Sequence, residues 1–309
     1  MRRMLAETVS APAETPRVDP RLIASLAAVY LIWSSTYLAM RIAITDLPPL
    51  LMAALRFSAA GAVMLVIALR RGATFPPLRE WLQVLPIGGL LFLGGNGLVG
   101  IAELSVSSGG AAVVCAMMPL WVGVLGLLTG ERPSKREWMS LAIGFVGVFV
   151  LMGGPTLAGE THHIVLLMFS PLCWALGSIL ARRLPGRSAK DSFMLPAMQM
   201  LTGGLVLFAA AAIRGDRIPT DASAESWLAL GYLWVFGSLV AFTAYSWLLR
   251  NARPLVATSY AYVNPPLAVI MGAVISGEPL GITTLVANVL ILGAIWLALR
   301  RPRTAPIKS

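Results

Sequence analysis

The sequence is poor in charged residues, which make up only 12% of its 309 positions, whereas hydrophobic residues make up 57%. A soluble domain of this size needs more polar surface than that, so the composition excludes an ordinary soluble protein. Apolar runs of about 20 residues, each long enough to cross a bilayer as a helix, recur along nearly the whole chain. We therefore expect one integral membrane domain and no separate soluble domain.

Residues that carry redox, metal or nucleotide chemistry are also scarce. The two cysteines, Cys115 and Cys173, both fall inside apolar segments and are interpreted as buried packing residues. The two histidines, His162 and His163, offer too few ligands for a zinc site, so we expect no metal and no other cofactor. No Gly-Lys-Ser/Thr follows the glycine-rich stretch 94–100, which argues against direct use of ATP. The spans hold no paired carboxylates and no Ser-His-Asp set, and we expect no enzyme activity.

The chain does contain ten apolar segments of membrane length, and we interpret them as transmembrane helices. Backbone groups in lipid must bond within their own segment, which favours helices over other forms. The predicted spans are 22–43, 50–69, 82–103, 108–128, 138–154, 164–181, 192–213, 227–249, 255–276 and 281–299.

The two halves of this arrangement resemble each other. The matched residues are Trp33 and Arg41 with Trp174 and Arg182, Trp81 with Trp227, Ala111 with Ala257, and Pro119 with Pro265. A duplicated unit with an odd number of spans must sit in the membrane in opposite orientations, an arrangement typical of secondary transporters. The predicted fold is an all-α integral membrane protein with ten transmembrane helices in two inverted five-helix repeats, 22–154 and 164–300. A disordered cytoplasmic tail, 1–21, precedes the repeats, and a second cytoplasmic tail, 301–309, follows them.

Basic residues lie almost entirely on one side of the predicted bundle. Both tails and the even-numbered loops carry twenty Lys and Arg residues, whereas the odd-numbered loops carry only Arg41, Arg214 and Arg217. Because Lys and Arg favour cytoplasmic loops, we predict a multi-pass protein of the inner (plasma) membrane with both termini in the cytoplasm. This topology and attraction to membrane lipid explain the net charge of +10 without a nucleic-acid partner.

Arg56 is the most costly residue in the predicted spans. A central membrane arginine costs at least about 3 kcal/mol, so it must face protein or water. It is interpreted as an anchor for a substrate carboxylate or phosphate, as a gate, or as a structural arginine that bonds carbonyls or reaches the interface. Its counterpart in the second half is the neutral Gln199.

Glu103 is the only acid that falls within a predicted span, at the very end of the third. It is interpreted either as a proton-coupling group or as an interfacial residue.

A polar and aromatic cluster in the first span, together with prolines and polar residues in matched spans, predicts a central cavity. Paired interruptions at matching positions mark the central site of many transporters, and we expect Pro119 and Pro265 to break the fourth and ninth spans. Close helix packing is the alternative explanation for the first-span cluster. The candidate cavity residues are Trp33, Ser34, Thr36, Tyr37, Arg56, Asn96, Trp174, Ser178, Gln199, Tyr260, Tyr262 and Asn264.

At this point the chain resembles the EamA-type branch of the drug/metabolite transporter superfamily. The resemblance is carried by the ten spans and by four motifs: 32–37 (IWSSTY), 55–57 (LRF), 261–265 (AYVNP) and 277–278 (GE). It implies an inner-membrane exporter of amino acids or related small metabolites, working by alternating access. The first span lacks the glutamate expected of four-span multidrug relatives. A nucleotide-sugar or sugar-phosphate carrier and a non-transporting scaffold or flippase-like partner of an enzyme remain alternatives, and the oligomeric state is not predicted.

Overall fold

The computed structural model describes residues 19–106, 111, 114–128, 130, 133–151, 160–184, 193–267 and 282–299. These residues form a helical bundle, and no strand occurs among them. The helices are α1 (Pro20–Ala43), α2 (Pro49–Arg70), α3 (Leu78–Ala102), α4 (Met118–Leu128), α5 (Lys135–Leu151), α6 (Thr161–Arg183), α7 (Met194–Arg214), α8 (Ala224–Asn251), the short α9 (Pro254–Thr258), α10, described over 260–267, and α11 (Ile282–Leu299). Most of the predicted N-terminal tail, the C-terminal tail and the 277–278 motif lie outside the described residues.

Six of the described helices, α1, α2, α3, α6, α7 and α8, are long and apolar enough to cross a membrane. Each coincides with a predicted span, and its ends differ from the prediction by only a few residues. The protein is therefore an all-α membrane protein. The other four predicted spans fall on α4, α5, α9 with α10, and α11, each of which is described only in part or is shorter than the six.

Local sequence explains where several helices begin and end. Asp19 precedes α1 and accepts a hydrogen bond from the backbone N–H of Arg21 at 2.8 Å, while Pro20 occupies the first turn, where no backbone N–H is needed. Gly215 ends α7 in the left-handed region, with a φ of 75°, which a glycine adopts without steric cost.

Two of the membrane helices contain a π-helical segment in their middle. In α3 it spans Gly89–Gly97, and in α8 it spans Leu233–Val240. A π-helical stretch weakens the normal i to i−4 ladder and makes carbonyls available to other helices. The hydroxyl of Ser170 donates to the carbonyl of Gly95 at 2.6 Å, and the indole of Trp33 donates to that of Gly237 at 3.1 Å. The distorted helices are thus held by α6 and α1.

Helices α2 and α7 pack closely along each other through small residues. A Cβ on Gly61 would lie 2.8 Å from the side chain of Leu201, and a Cβ on Gly204 would overlap the hydroxyl of Ser58. Small residues of this kind let helix backbones approach in membranes. Helix α5 packs against α11 in a similar way, and the hydroxyl of Ser140 donates to the carbonyl of Ala294 at 2.7 Å.

The two arginines of the repeated Trp–Arg pattern make equivalent contacts at opposite ends of the bundle. The guanidinium of Arg41 donates to the carbonyl of Val106 at 3.4 Å, just after α3. That of Arg182 donates to the carbonyl of Ala252 at 3.2 Å, just after α8. Each arginine therefore provides a donor for a carbonyl in the turn that follows one of the two π-containing helices.

The two ends of the bundle are distinguished by the direction of α1. The basic end is where α1 begins, and there Arg253 forms an ion pair with Glu137 of α5 at 2.9 Å. The opposite end is where α1 finishes, and there the carboxylate of Asp46 accepts hydrogen bonds from Ser223, which caps α8, and from Ser226 of α8. Each contact joins an element from one half of the sequence to an element from the other.

Candidate functional site

A cavity of about 740 Å³, including its open mouth, lies between the helices of the two sequence halves. Helices from both halves contribute to its wall, as expected for a site at their interface. It is lined by Trp33, Thr36, Tyr37, Met40, Arg56, Phe57, Gly95, Asn96, Val99, Cys115, Met118, Ser170, Pro171, Trp174, Gly237, Phe242, Tyr260 and Asn264.

Four aromatic rings pack together on the side of the cavity that faces the basic end. Trp33 is at the centre, with its ring centroid 5.7 Å from that of Trp174, 5.1 Å from that of Tyr245 and 4.6 Å from that of Tyr260. The indole of Trp174 donates to the hydroxyl of Tyr245 at 3.2 Å, and that hydroxyl also bonds with Ser178 at 2.7 Å. These four packed rings are called the aromatic floor of the cavity.

Arg56 lies in the cavity wall and is only 4% exposed. Its Nε donates to the hydroxyl of Ser238 at 2.7 Å, and its guanidinium carbon lies 4.4 Å from the centroid of the Phe57 ring. Among the described residues no carboxylate pairs with it. The neutral hydroxyl holds the guanidinium in place but leaves its charge uncompensated. A buried charge of this kind calls for an anionic partner.

Two amides add polar groups to the cavity. The Oδ1 of Asn96 is buried and has no hydrogen-bond partner among the described residues. The Oδ1 of Asn264 instead accepts from the hydroxyl of Ser34 at 3.1 Å. A ligand amine or hydroxyl at Asn96 would satisfy this open acceptor in the cavity wall.

Eight of the twelve predicted cavity residues line the cavity: Trp33, Thr36, Tyr37, Arg56, Asn96, Trp174, Tyr260 and Asn264. Ser34, Ser178, Gln199 and Tyr262 do not. Ser34 and Ser178 support the wall through Asn264 and Tyr245. The hydroxyl of Tyr262 donates to the carbonyl of Leu141 at 3.1 Å and links α10 to α5, while Gln199 is buried where α7 packs against α3.

The two predicted helix breaks, at Pro119 and Pro265, lie in different local structures. A turn at residues 116–117 precedes α4, and Pro119 is the second residue of that helix. The chain stays helical across Pro265, however, and its break lies earlier, at Ser259. The hydroxyl of Ser259 donates to the carbonyl of Val256 at 2.7 Å and bonds with that of Tyr30 at 2.6 Å. These bonds stabilise the turn there, so the interruption lies at Ser259 and not at Pro265.

Glu103 lies directly after the end of α3 and outside the cavity wall, and it is 1% exposed. Both interpretations of Glu103, a proton-coupling group and an interfacial residue, stay predictions.

Sequence reasoning missed the ring of Tyr245, the hydroxyl of Ser238 and the apolar residues Met40, Met118 and Phe242. The glycine-rich stretch 94–100 lies partly in the π-helical segment of α3. Glycines there predict a flexible helix, but they do not predict a π-helix. Cys115, interpreted as a packing residue, lines the cavity.

Glu160, His162 and His163 bring potential metal ligands within 4.8 Å of one another at the opposite end. Glu160 and His162 are exposed, and the Nδ1 of His163 already bonds with the hydroxyl of Ser105 at 2.7 Å. Structural zinc sites have four ligands, so this group is incomplete.

The EamA-like transporter family matches the chain twice, over residues 21–153 and over residues 162–300. The chain belongs to this family. It is 40% identical over 294 residues to the uncharacterized inner membrane transporter YedA of Escherichia coli strain K12, with 93% of this chain and 95% of YedA covered.

More distant similarities agree with this assignment. An uncharacterized transporter of Archaeoglobus fulgidus is 23% identical, over 88% of this chain and 95% of that protein. A crystal structure with 22% sequence identity covers 90% of this chain and 96% of its own, with a TM-score of 0.73, which shows a common fold. The EamA chain described here is therefore a membrane transporter.

Proposed function

We propose that this EamA-family protein is a secondary transporter of the inner membrane that exports amino acids or related small metabolites. The observation that carries the proposal is the unpaired, buried guanidinium of Arg56 in the cavity wall. A substrate carboxylate would compensate its charge through the bidentate geometry that arginine offers. An amine on the same substrate would donate a hydrogen bond to the open Oδ1 of Asn96. The side chain of the substrate would then lie against the aromatic floor.

Alternating access between two inverted repeats, 22–154 and 164–300, is part of the proposal. It is supported by the double family match and by contacts that recur in both halves. The pairs Arg41 with Val106 and Arg182 with Ala252 are one example, and the two π-helical segments are another. Inverted repeats exchange conformations by rocking around a site at their interface.

We infer that the cavity opens toward the opposite end, because the aromatic floor packs on its other side. If the basic end is cytoplasmic, as basic loops favour, this conformation faces outward. Export then requires a second conformation in which the floor around Trp33 and the ion pair between Glu137 and Arg253 open.

A ligand-stabilisation screen on the purified protein tests the substrate class, since a ligand that binds only the folded state raises the melting temperature. The probes are amino acids, sugar phosphates and lipophilic cations. We expect amino acids to stabilise the wild type and Arg79→Gln, an exposed-arginine control, but not Arg56→Gln. Stabilisation by sugar phosphates alone would favour a phosphorylated substrate. Stabilisation by lipophilic cations alone, or by none of the probes, would contradict the proposal.

A further inference from the structure

Glu103 is a buried acid that the proposed substrate site does not use. It is 1% exposed, and neither of its carboxylate oxygens has a hydrogen-bond partner among the described residues. An ionised carboxylate removed from water needs a cation or several donors. Without them, the neutral carboxylic acid is the favoured form.

The nearest cation does not supply that partner. Arg41 is exposed, and its Nη1 donates to the backbone carbonyls of Glu103 at 3.3 Å and of Val106 at 3.4 Å. The guanidinium of Arg41 therefore donates to carbonyls of the turn after α3 and is also in contact with solvent. The guanidinium lies in electrostatic range of the carboxyl but forms no ion pair with it.

The other titratable groups around Glu103 connect it to the cavity. Tyr37 of α1 and Cys115 both line the cavity and lie in electrostatic range of Glu103. On α6, His163 bonds with Ser105, two residues after Glu103. Tyrosine and cysteine are ordinarily neutral at pH 7, so they provide no charge that would stabilise an ionised Glu103.

We propose that Glu103 is a proton-binding site that couples transport to the proton gradient. In the conformation described here its carboxyl group carries a proton taken from the opposite end. When the cavity opens toward the basic end, water reaches the carboxyl group of Glu103 along the part of the cavity wall that Tyr37 and Cys115 form. The proton then leaves toward the basic end. One proton thus moves inward for each outward substrate movement. This inference rests on the proposed transport function.

The protonation state can be tested without any substrate. Infrared spectra of the purified full-length protein at pH 7 are compared for wild type, Glu103→Gln and the control Glu160→Gln, which removes an exposed acid at the same end. We expect a protonated-carboxyl C=O band in wild type and in Glu160→Gln that is absent from Glu103→Gln. The same band in all three proteins, or no such band in wild type, would overturn the proposal.

Coupling is tested by flux in proteoliposomes, with a mixture of radiolabelled amino acids as the probe. An imposed pH gradient should stimulate flux by wild type and by Glu160→Gln, whereas Glu103→Gln should transport at the same rate with and without the gradient. Glu103→Asp keeps a carboxyl group, so recovery of the stimulation separates coupling from a purely structural role. Persistent stimulation in Glu103→Gln overturns the coupling, while absence of flux in wild type overturns the transport proposal itself and leaves the infrared result to decide the proton site.

Discussion

At the scale of single residues, the proposed substrate site depends on Arg56, which has no charged counterpart at the aligned position of the second half. The aligned position there is Gln199, which is buried between α7 and α3 and does not line the cavity. An arginine needed only for architecture would be expected in both halves. A substrate contact needs to occur once, and Arg56 is the one charged side chain among the described residues that line the cavity.

Replacing Arg56 tests this assignment through affinity. We expect Arg56→Gln to lower the affinity for an amino-acid ligand at least about tenfold, equivalent to about 1.4 kcal/mol, because a charged hydrogen bond is lost. Arg56→Lys should restore only part of it, since lysine lacks the planar fork that fits a carboxylate. Calorimetric titration of folded protein measures both, and unchanged affinity in Arg56→Gln would make the residue structural.

Replacing Gly95 with alanine tests how tightly the aromatic floor is packed. A Cβ at this position would overlap the ring of Trp174, so we expect Gly95→Ala to destabilise the protein by about 1–3 kcal/mol and to reduce ligand binding. Gly231→Ala in α8 is the matched control, because no atom lies within 4 Å of its added Cβ. Thermal unfolding in detergent compares the two, and equal stability in both variants would argue against a tightly packed floor.

Sequence reasoning located Arg56 and the two matched tryptophans because a membrane charge and a repeated aromatic stand out against an apolar background. Tyr245 and Ser238 do not stand out in this way. Their roles arise from contacts with Trp174 and Arg56, residues far from them in the chain. Pairings between distant segments are set by packing, which no local pattern in one sequence reports.

At the scale of helices, the two π-helical segments are what the sequence did not predict. Their carbonyls at Gly95 and Gly237 need donors from other helices, and these come from Ser170 and Trp33. The apolar spans themselves were predictable, since length and hydropathy alone determine them. The π-helical distortion depends on tertiary partners, and so does the break at Ser259. The position of Pro265 predicted this break later in the chain.

The contact between Asp46 and the start of α8 gives a pH-dependent prediction. The Ser223 side chain, followed by the Ser223 backbone N–H and Ser226, lowers the pKa of Asp46 from its ordinary value of 3.8. A lowered folded-state pKa stabilises the protein above the unfolded value, and that stability is lost as the pH falls through the lowered value. We expect the melting temperature to fall below about pH 4.

Asp46→Asn should weaken this acid-induced loss of stability, because the amide does not titrate. Asp221→Asn, an exposed aspartate in the same loop as Ser223, should leave it as in the wild type. The same acid transition in Asp46→Asn as in wild type would show that this contact does not contribute to it.

At the scale of the whole molecule, the proposed orientation places the basic end in the cytoplasm. Thr74, in the loop after α2, and Thr161, the first residue of α6, are both exposed and lie at the two ends of the bundle, so each is replaced by cysteine. In a background without Cys115 and Cys173, an impermeant thiol reagent added to intact cells should label Thr161→Cys only. Permeabilised cells should show both labelled. Labelling of both positions from outside would contradict the ten-span topology.

The central claim is that this protein alone moves a carboxylate-bearing substrate through the cavity around Arg56. The most direct measurement is flux of radiolabelled amino acids in proteoliposomes that contain only this protein, normalised to folded protein. We predict saturable flux by wild type and by Arg79→Gln, and flux at the level of empty liposomes for Arg56→Gln. Wild-type flux no greater than that of empty liposomes, or normal flux by Arg56→Gln, would contradict the account.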